Sequence, residues 1–528
     1  MHISKVIIQN YRCLRNCTMP LNEKLNIIVG NNECGKSTLL EAIHLALSGQ
    51  INGRPLAVEL HPYLFNQAVV LDYLNKLKAN VAAPPPSILI ELYFSDIPAL
   101  ATCKGTNNSL KENVPGVKLT IEFNTEYCAE YAAYVADPAI IRTVPIEYYA
   151  IRWRNFADAD ITVRSVPIKP SLIDASTIRN NAAASRYVVD IMKDSLSRKQ
   201  QVDLALTYRM MRDRFLDEDK VKAINTALAD SSISRKTLSI SLDTSSRTGW
   251  ETGVMPQLDE IPMTLVGKGE QNSVKVKLAL ETSAESHLVL IEEPENNLSH
   301  SNLNALIEHI SVKRGDRQLI LTTHSSFVLN KLGIESVRLF GRTANATLKE
   351  LSEGTQGYFL KLPGHDTLRL ILAERAILVE GPSDELVVQA AFKKKYGKMP
   401  LEAGVDVITV GSLAFKRFLE IATLMHLQVD VLTDNDGDLD ALKTKYEGYF
   451  DKEKLKIRYD DDINYKTLEP QLLKHNDRTV INEILGKNYD TDEKLLAYME
   501  RNKTEVALRF FETAREWTVP SYIEAALA

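Results

Sequence analysis

The 528-residue chain has few of the features that mark secreted or membrane proteins. Its five cysteines are scattered and none forms a CxxC pair, which excludes a disulfide-rich scaffold and a paired-cysteine zinc ribbon. The N-terminus lacks the continuous apolar segment of a signal peptide, and no run of about 18 apolar residues occurs. We therefore expect a cytoplasmic protein with reduced thiols and without a transmembrane helix.

An excess of positive charge is also missing. The formal net charge is -6, from 63 Lys and Arg residues against 69 Asp and Glu residues. The surface as a whole will not attract polyanions, so contact with nucleic acid requires a local basic patch or bound metal ions. The apolar and charged fractions, 45% and 25%, are those of a globular protein, and the length is enough for about three domains.

The first two thirds of the chain show a β-rich α/β pattern with one helical interruption. Residues 183–230 are charged and helix-like, and their heptads are too irregular for a long coiled coil, so we expect an inserted helical element. This element could pack against its twin in a dimer or cap its own chain. The predicted strands are 3–9, 25–29, 87–94, 118–123, 288–292 and 318–322, and the predicted helix is 36–48.

A second α/β region follows a connecting segment at 343–368. Apolar strands are predicted at 375–380, 405–411 and 429–434, with helices between them. Helices between successive strands imply parallel pairing. The carboxyl ends of these strands should therefore meet at one edge of a sheet.

A glycine-rich loop stands between the second predicted strand and the helix at 36–48. Its sequence, Gly30-Asn-Asn-Glu-Cys-Gly35-Lys36-Ser37, fits the phosphate-binding pattern GxxxxGK[ST]. Backbone N–H groups and the helix N-terminus can point at phosphate oxygens. We expect Lys36 to reach the β- and γ-phosphates of a nucleotide and Ser37 to ligate Mg²⁺. The other loop residues expected at the nucleotide are Asn31, Gly35 and Thr38.

Two adjacent acids end an apolar strand in Leu288-Val-Leu-Ile-Glu292-Glu293-Pro294, a Walker B pattern. We expect Glu292 to hold Mg²⁺ and Glu293 to polarise the attacking water. Adjacent side chains on a strand point to opposite faces, so both acids share one site only if the chain leaves the strand there. A turn at Pro294 permits this. His324 follows the next apolar strand and is expected to hydrogen-bond the γ-phosphate.

A weaker signal precedes the Walker B strand. Gly267-Lys-Gly269-Glu-Gln271 stands before a helix-like run, at the position of an ABC signature motif. A helix N-terminus with glycine in front of it is an anion site. Gly269 and Gln271 are therefore candidate nucleotide contacts.

Acidic residues follow two predicted strands of the second region. Glu380-Gly381-Pro-Ser-Asp384-Glu385 follows one strand, and Asp434-Asn-Asp436-Gly437-Asp438 follows another. Four or five carboxylates at one sheet edge would repel one another without cations. Hard oxygen ligands suit Mg²⁺ or Mn²⁺, and two such ions can support phosphodiester cleavage. The second string also resembles the start of an EF-hand loop, but no Glu stands at the twelfth position of that loop.

Residues 1–50 and about 255–330 resemble an ABC ATPase of the branch that includes the recombination and condensation ATPases. Asn10-Tyr11-Arg12 is similar to the N-terminal pattern of that branch, which implies that Arg12 approaches the nucleotide. The resemblance also implies a homodimer, in which the signature segment of one protomer closes over ATP in the other. The Q-loop glutamine stays open between Gln50 and Gln67.

Residues 373–470 resemble the Toprim domain of topoisomerases, primases and related nucleases, on Glu380, the Asp434 and Asp436 pair and Gly411-Ser412. An ABC ATPase followed by Toprim in one chain resembles the overcoming lysogenization defect (OLD) family of nucleases, in its stand-alone class 1 type. The metal ligands that this resemblance implies are Glu380, Asp384, Asp434, Asp436 and Glu469. It also implies a charge-stabilising lysine, Lys503, for which an exposed helix lysine is the alternative.

We therefore expect an α/β protein in which an ABC-type ATPase domain with an inserted helical dimerisation element is followed by a C-terminal Toprim α/β domain. The expected boundaries are 1–165 and 236–370 for the two ATPase parts, 166–235 for the insertion, and 371–528 for the Toprim nuclease domain with its helical extension.

The expected function is ATP-dependent cleavage of DNA with Mg²⁺, with Mn²⁺ or Ca²⁺ as further candidates at the nuclease site. The resemblance implies a role in phage defence or DNA repair. The alternative is an ATP-switched DNA-binding clamp or recombination mediator without nuclease activity. A primase- or topoisomerase-like enzyme is disfavoured, because neither a zinc ribbon nor an active-site tyrosine in a winged-helix context is recognisable.

Overall fold

A computed structural model gives the architecture of most of the chain. The residues that it describes are 1–30, 34–137, 141–163, 165–174, 188–189, 192–193, 196–229, 236–242, 249–282, 286–313, 315–325, 328–329, 332, 336–340, 345–347, 350–361, 365–411, 414–450 and 452–528. No helix within these ranges is both long enough and apolar enough to cross a membrane.

The strands in the described ranges follow the predicted pattern closely. In chain order they are β1 (Ile3–Tyr11), β2 (Leu14–Pro20), β3 (Leu25–Val29), β4 (Gln50–Ile51), β5 (Arg54–Pro55), β6 (Ile88–Phe94), β7 (Lys104–Gly105), β8 (Val114–Phe123), β9 (Tyr149–Asn155), β10 (Pro170–Asp174), β11 (Gln257–Leu258), β12 (Ile261–Pro262), β13 (Leu288–Glu292), β14 (Gln318–Thr322), β15 (Val337–Phe340), β16 (Asn345–Thr347), β17 (Arg375–Val379), β18 (Val405–Thr409), β19 (Gln428–Leu432) and β20 (Leu455–Arg458).

The α-helices with described bounds are α1 (Lys36–Ser48), α2 (Leu56–Glu59), α3 (Gln67–Lys78), α4 (Cys128–Tyr134), α5 (Arg198–Asp217), α6 (Asp219–Ala229), α7 (Trp250–Gly253), α8 (Lys268–Thr282), α9 (His300–Lys313), α10 (Glu353–Lys361), α11 (His365–Leu372), α12 (Pro382–Tyr396), α13 (Phe415–Leu424), α14 (Leu439–Tyr446), α15 (Leu468–His475), α16 (Arg478–Leu485), α17 (Asp492–Arg501), α18 (Lys503–Glu512) and α19 (Ser521–Ala526). Single 3-10 turns lie at Pro62–Leu64, Pro98–Cys103, Thr125–Tyr127, Ile146–Tyr148, Met263–Leu265, Pro400–Ala403 and Glu447–Tyr449.

The chain forms two compact units. The first comprises Met1–Asn26 and Ser37–Thr323, and the second comprises Ile27–Lys36 and His324–Ala528. In the first unit, β1, β2, β6, β7, β8 and β9 form an antiparallel sheet. The sheet confirms the predicted strands at 87–94 and 118–123. Trp153 of β9 donates from its indole nitrogen to the carbonyl of Ala46 at 2.9 Å, which ties this sheet to α1.

The central strands of the first unit pair in parallel. The strand β13 pairs in parallel with β10 on one side and β14 on the other, and Glu292 lies opposite Thr322 in this register. Every residue of β14 is buried, which explains its continuous apolar sequence. In the second unit, β3 pairs in parallel with β15, which pairs antiparallel with β16.

A helical hairpin of α5 and α6 occupies the later part of the predicted insertion (166–235), whereas β10, near the start of that range, pairs with β13 of the parallel sheet. Ser197 and Gln200 form a capping box at the start of α5, each side chain accepting a hydrogen bond from the backbone N–H of the other residue. The helix α5 has no buried residue, although Tyr208 and Arg212 are partly covered. Packing therefore contributes little to this helix within the described chain.

The C-terminal part of the second unit is a parallel α/β fold. Its strand order is β18-β17-β19-β20, and all three pairings are parallel, which confirms the arrangement predicted for 375–380, 405–411 and 429–434. Val379 of β17, Val387 of α12 and Phe510 of α18 belong to one buried apolar cluster. This core fixes the sheet whose carboxyl edge carries the acidic residues.

Candidate nucleotide and metal sites

The phosphate-loop motif lies between β3 and α1, as the sequence predicts, and its backbone requires glycine at two points. Gly30 passes so close to β15 that a Cβ atom would lie 2.0 Å from the Phe340 carbonyl oxygen. Gly35 adopts a φ of +101°. Lys36 is buried at the start of α1, and its Nζ donates to the Gly30 carbonyl at 3.0 Å. Asn31 lies outside the described residues.

The first turn of α1 carries the other two predicted nucleotide contacts. Ser37 is exposed, and Thr38 is half-buried with its hydroxyl oxygen 3.3 Å from the Cys13 sulfur. The exposed Ser37 hydroxyl is therefore accessible at a helix N-terminus, which favours anions and their counter-ions.

Arg12 is held by the chain itself in this structure. It has a left-handed φ of +47°, and its Nε lies 3.0 Å from Oε1 of Glu41 in α1. The Tyr11 hydroxyl donates to the same carboxylate. Arg12, Cys13 and Gln67 line one cavity, whose lining does not include Gln50. The Q-loop position stays open between Gln50 and Gln67.

The Walker B strand, β13, ends between the two adjacent acidic residues. Glu292 is the last residue of β13, and Glu293 adopts a left-handed φ of +43°, which confirms that the chain leaves the strand between the two acids. The Glu293 N–H donates to the Thr322 carbonyl at 3.0 Å, and its carboxylate accepts from Asn296 Nδ2 at 2.9 Å. His324 is half-buried just beyond the end of β14.

The segment with the predicted signature motif packs against the loop that follows Walker B. A Cβ atom on Gly269 would lie 2.2 Å from the Asn297 carbonyl oxygen, so glycine permits the close approach. Asn272 Nδ2 donates to the carbonyls of Pro294 and Asn296 at 3.3 and 3.2 Å. Gln271 is buried and donates to the Val266 carbonyl at 2.8 Å, so its side chain faces inward.

Two of the predicted metal ligands meet directly at the carboxyl edge of the C-terminal sheet. Glu380 follows β17 and accepts hydrogen bonds from the Thr433 hydroxyl at 2.7 Å and from the Asp434 N–H at 3.2 Å. Both donors follow β19, which pairs with β17. The structure therefore brings together residues that are 54 positions apart in the sequence.

Burial and mutual repulsion perturb two acids at this edge. Burial first, and then the nearby Asp384, Glu380, Glu469 and Asp436 carboxylates, raise the pKa of Asp434 to about 8. Burial also raises the pKa of Asp384 to about 6, although its carboxylate accepts from the Gly381 N–H at 2.9 Å. The upward shift of both pKa values indicates a site with too little positive charge for its acids.

Lys503 and Glu469 form an ion pair at the same site. The Lys503 Nζ lies 3.1 Å from Oε2 of Glu469, and the side chains are 50% and 3% exposed. Burial lowers the pKa of Lys503, but Glu469, Asp434 and Asp384 raise it more, so the net shift is upward. Lys503 is thus a half-exposed cation beside buried acids rather than an isolated surface lysine.

The polar residues of the acidic turn after β19 make different contacts. Asp436 has a left-handed φ of +50° and lies near enough to Asp434 to raise its pKa. Asp438 instead caps α14 by accepting from the Ala441 N–H at 2.9 Å. Asn435 donates to the carbonyls of Asp460 and Asp462 at 2.8 and 3.0 Å. The turn is therefore braced by the chain itself and is not an EF-hand loop.

Three residues at this site were missed by sequence reasoning. Thr433 bridges the two strands through Glu380, as described above. Lys466 lies against the turn, with its Cε 2.8 Å from where a Cβ on Gly437 would stand. Tyr522, which is buried in α19, lines the cavity beside Glu380, Asp384 and Asp434. Only Thr433 had a local signal, its position next to Asp434.

The acidic residues could serve as metal ligands, but in this structure they are not arranged as a coordination shell. Within the described ranges, no three acidic, histidine or cysteine side chains already converge at metal-binding distance. Glu380 is engaged by Thr433 and Asp384 by Gly381, so both would have to turn towards a shared ion. The donors themselves are carboxylates, which fit hard divalent cations, and cations would relieve the repulsion that raises the pKa of Asp434.

Three domain-family models match the chain. An AAA ATPase domain matches residues 1–130, and an AAA domain described as a putative AbiEii toxin of a type IV toxin–antitoxin system matches 172–330. The Toprim domain of overcoming lysogenization defect protein-like proteins matches 371–436. The two ATPase matches contain the phosphate loop and the Walker B acids, and the third contains the acids from Glu380 to Asp436.

Short segments are similar to two curated proteins. One is structural maintenance of chromosomes protein 6 of Saccharomyces cerevisiae, 43% identical over 49 residues, which are 9% of this chain and 4% of that protein. The other is the DNA replication and repair protein RecF of Psychromonas ingrahamii, 43% identical over 44 residues, 8% of this chain and 12% of that protein. The chain thus matches only a small fraction of the length of these relatives.

Solved structures give weaker similarities. The SMC head domain from Thermotoga maritima is 13% identical, with 66% of this chain and 98% of that chain covered and a TM-score of 0.30. The C-terminal region of the Burkholderia pseudomallei OLD protein is 21% identical, with 29% and 95% covered and a TM-score of 0.25. Similarities at these TM-scores carry no conclusion about function.

Proposed function

This chain belongs to the OLD family of ATPase–Toprim proteins, and we propose that it is an ATP-dependent DNA endonuclease or nickase that uses divalent metal ions at its Toprim site. The single observation that carries the proposal is that Glu380, Asp384 and Asp434 line one cavity at the sheet edge, with the Lys503–Glu469 pair near enough to shift the pKa of Asp434 and Asp384. A role in phage defence or DNA repair is part of the proposal.

In this proposal, the acids of the C-terminal sheet hold the ions. Bound Mg²⁺ or Mn²⁺ would supply an activated water and neutralise charge at the leaving oxygen of a phosphodiester. The ligands would be Glu380, Asp384, Asp434, Asp436 and Glu469. Thr433 orients Glu380 through its hydroxyl, and the Lys503 ammonium faces the site from the side of Glu469, where it can stabilise charge on the scissile phosphate.

The ATPase site would control access of DNA rather than the chemistry of cleavage. Lys36 would leave the Gly30 carbonyl for the β- and γ-phosphates, and Ser37 and Glu292 would hold Mg²⁺. Glu293 would polarise the attacking water and His324 would bond the γ-phosphate. The other proposed nucleotide contacts are Arg12, Asn31, Gly35, Thr38, Gly269 and Gln271.

A homodimer is also part of the proposal. Leu206 and Met210 are exposed on α5 four residues apart, which places them on one helix face. An apolar stripe on a helix without buried residues favours packing against a second chain. This observation supports the dimer reading of the insertion over the intramolecular cap.

Plasmid cleavage by matched variants tests the function. Glu380→Gln keeps the size of the side chain but removes a metal-ligating charge, so we expect nicking to fall at least about 1,000-fold while ATP hydrolysis persists. Asp438→Asn is the control, because Asn also caps helices and Asp438 faces α14. Lys36→Ala should abolish ATP hydrolysis and the ATP dependence of cleavage.

The outcomes separate the nuclease from the clamp. Wild-type nicking rates in the Glu380→Gln variant would show that the Toprim acids do not cleave DNA. If neither wild type nor variant nicks DNA but both retain it in an ATP-dependent manner, the non-nucleolytic clamp is correct instead.

A further inference from the structure

A basic groove lies along one side of α5, and none of its lining residues belongs to the two sites described above. Arg198, Arg209 and Arg212 line it, together with Tyr208 and Trp250. Successive residues of an α-helix are about 100° apart, so these three arginines fall within a sector of roughly 60°. The first and last are 14 residues apart, or about 21 Å along the helix axis.

The three arginines have no acidic partner within ion-pair distance among the described residues, whereas Arg154, Arg375 and Arg478 each pair with an acid. The carboxylate that lines the groove, Glu251, is paired with Lys193 at 2.8 Å and is therefore neutralised. The groove thus has a local charge of about +3 in a chain whose net charge is -6. Unpaired arginines collected on one face point to an anionic partner.

The aromatic residues of the groove do not present free ring faces on which nucleobases could stack. The Arg212 guanidinium lies 4.4 Å from the centre of the Tyr208 ring, so that ring face is already covered. Trp250 is buried beneath the groove. A single-stranded ligand would need free aromatic faces for its bases. Backbone phosphates require only the arginines.

We propose that this groove binds the phosphate backbone of duplex DNA outside the cleavage site. The proposal rests on the proposed function, since it names a second contact for the same substrate. The arginines span about 21 Å, or roughly six base pairs at 3.4 Å per base pair, and each can neutralise one phosphate. The contact should be independent of sequence, because phosphates carry no sequence information.

Salt-dependent binding tests this contact with a charge-matched control. The groove variant combines Arg198→Gln, Arg209→Gln and Arg212→Gln. The control combines Lys199→Gln, Arg214→Gln and Lys220→Gln, three cations of the same hairpin that do not line the groove. Full-length proteins are titrated onto a fluorescent 30-base-pair duplex in EDTA, which prevents cleavage, between 50 and 200 mM salt.

Loss of three phosphate contacts should reduce the slope of log K against log salt by about 2.7. The Kd ratio of groove variant to wild type is then about 40 times larger at 50 mM than at 200 mM salt. The control variant should keep the wild-type slope to within about one contact. Plasmid cleavage by the groove variant should recover at saturating DNA, so that KM rises and kcat does not change.

Three results would overturn the groove as a DNA site. One is an unchanged slope in the groove variant, and another is an equal slope change in the control variant. The third is dissociation of the dimer in sedimentation with unaltered DNA binding, which would assign the groove to an acidic face of a second copy. In each case wild-type cleavage that still depends on Glu380 leaves the proposed nuclease intact, so the two proposals fail separately.

Discussion

The candidate nucleotide site and the C-terminal acidic site differ in how far the chain itself neutralises their charged side chains. In the nucleotide site, Lys36 bonds the Gly30 carbonyl and Arg12 pairs with Glu41, so the chain supplies partners for its own cations. In the C-terminal site, the acids outnumber the nearby cations, and burial together with the neighbouring carboxylates raises the pKa of Asp434 to about 8.

The difference teaches what each site requires from its ligand. A nucleotide must compete with internal hydrogen bonds, which suits a site that switches between states as ligand binds and leaves. A divalent cation at the acidic site would instead remove an existing repulsion, so we expect its binding both to stabilise the fold and to complete the site. The cations described at the first site have partners within the chain, whereas the acids of the second site lack enough neighbouring positive charge.

The largest expected effect is at Asp434, where a substitution should lower the cleavage rate but raise the melting temperature. Asp434→Asn removes a buried carboxylate that its neighbours repel, so we expect metal-dependent cleavage to fall at least about 1,000-fold. At pH 8.5 without metal, the melting temperature of the same variant should rise by several degrees. Nicking assays and thermal melts in EDTA measure the two effects. A variant that loses stability along with activity would contradict the repulsion that distinguishes the two sites.

An intermediate effect is expected at Lys503, the cation that pairs with Glu469 in the acidic site. Lys503→Met should lower cleavage about 10- to 100-fold by removing positive charge beside Glu469, with ATP hydrolysis unchanged. Lys494→Met is the matched control, because Lys494 forms an exposed helix pair with Asp490. Equal loss in both variants would make Lys503 an ordinary surface lysine.

The smallest expected effect is a pH dependence of metal stabilisation. The folded chain raises the pKa of Asp434 from 3.8 to about 8, so the metal-free fold loses stability as pH rises between these values. Ions compete with that proton, so Mg²⁺ affinity should rise by up to about tenfold per pH unit below pH 8. Mg²⁺ should therefore raise the melting temperature more at pH 8.5 than at pH 6.5. The Asp434→Asn variant should lose this pH dependence.

Local sequence signals predicted the elements better than the contacts. The helix predicted at 36–48 is α1, and the strand predicted at 288–292 is β13, because apolar spacing and adjacent glycine or acidic residues mark both. The edge that unites Glu380 and Asp434 was also predictable, since parallel strands align their carboxyl ends.

Contacts set by packing could not be derived from the sequence. Arg12 was expected at the nucleotide, but nothing local indicated its pairing with Glu41, 29 residues later in the chain. Lys503 and Glu469 entered as candidates through resemblance alone, and only the fold of α15 and α18 places them 3.1 Å apart. Tyr522 reaches the site because α19 packs beneath the sheet, which no periodicity reveals.

The central claim is that the crowded acids of the C-terminal sheet exist to bind divalent cations. The most direct test is anomalous diffraction from crystals of the full chain soaked in Mn²⁺. We predict a strong peak with oxygens of Glu380 and Asp434 turned to about 2.1 Å from it. Ordered Glu380 and Asp434 side chains in their metal-free positions, with no peak between them at saturating Mn²⁺, would contradict the account.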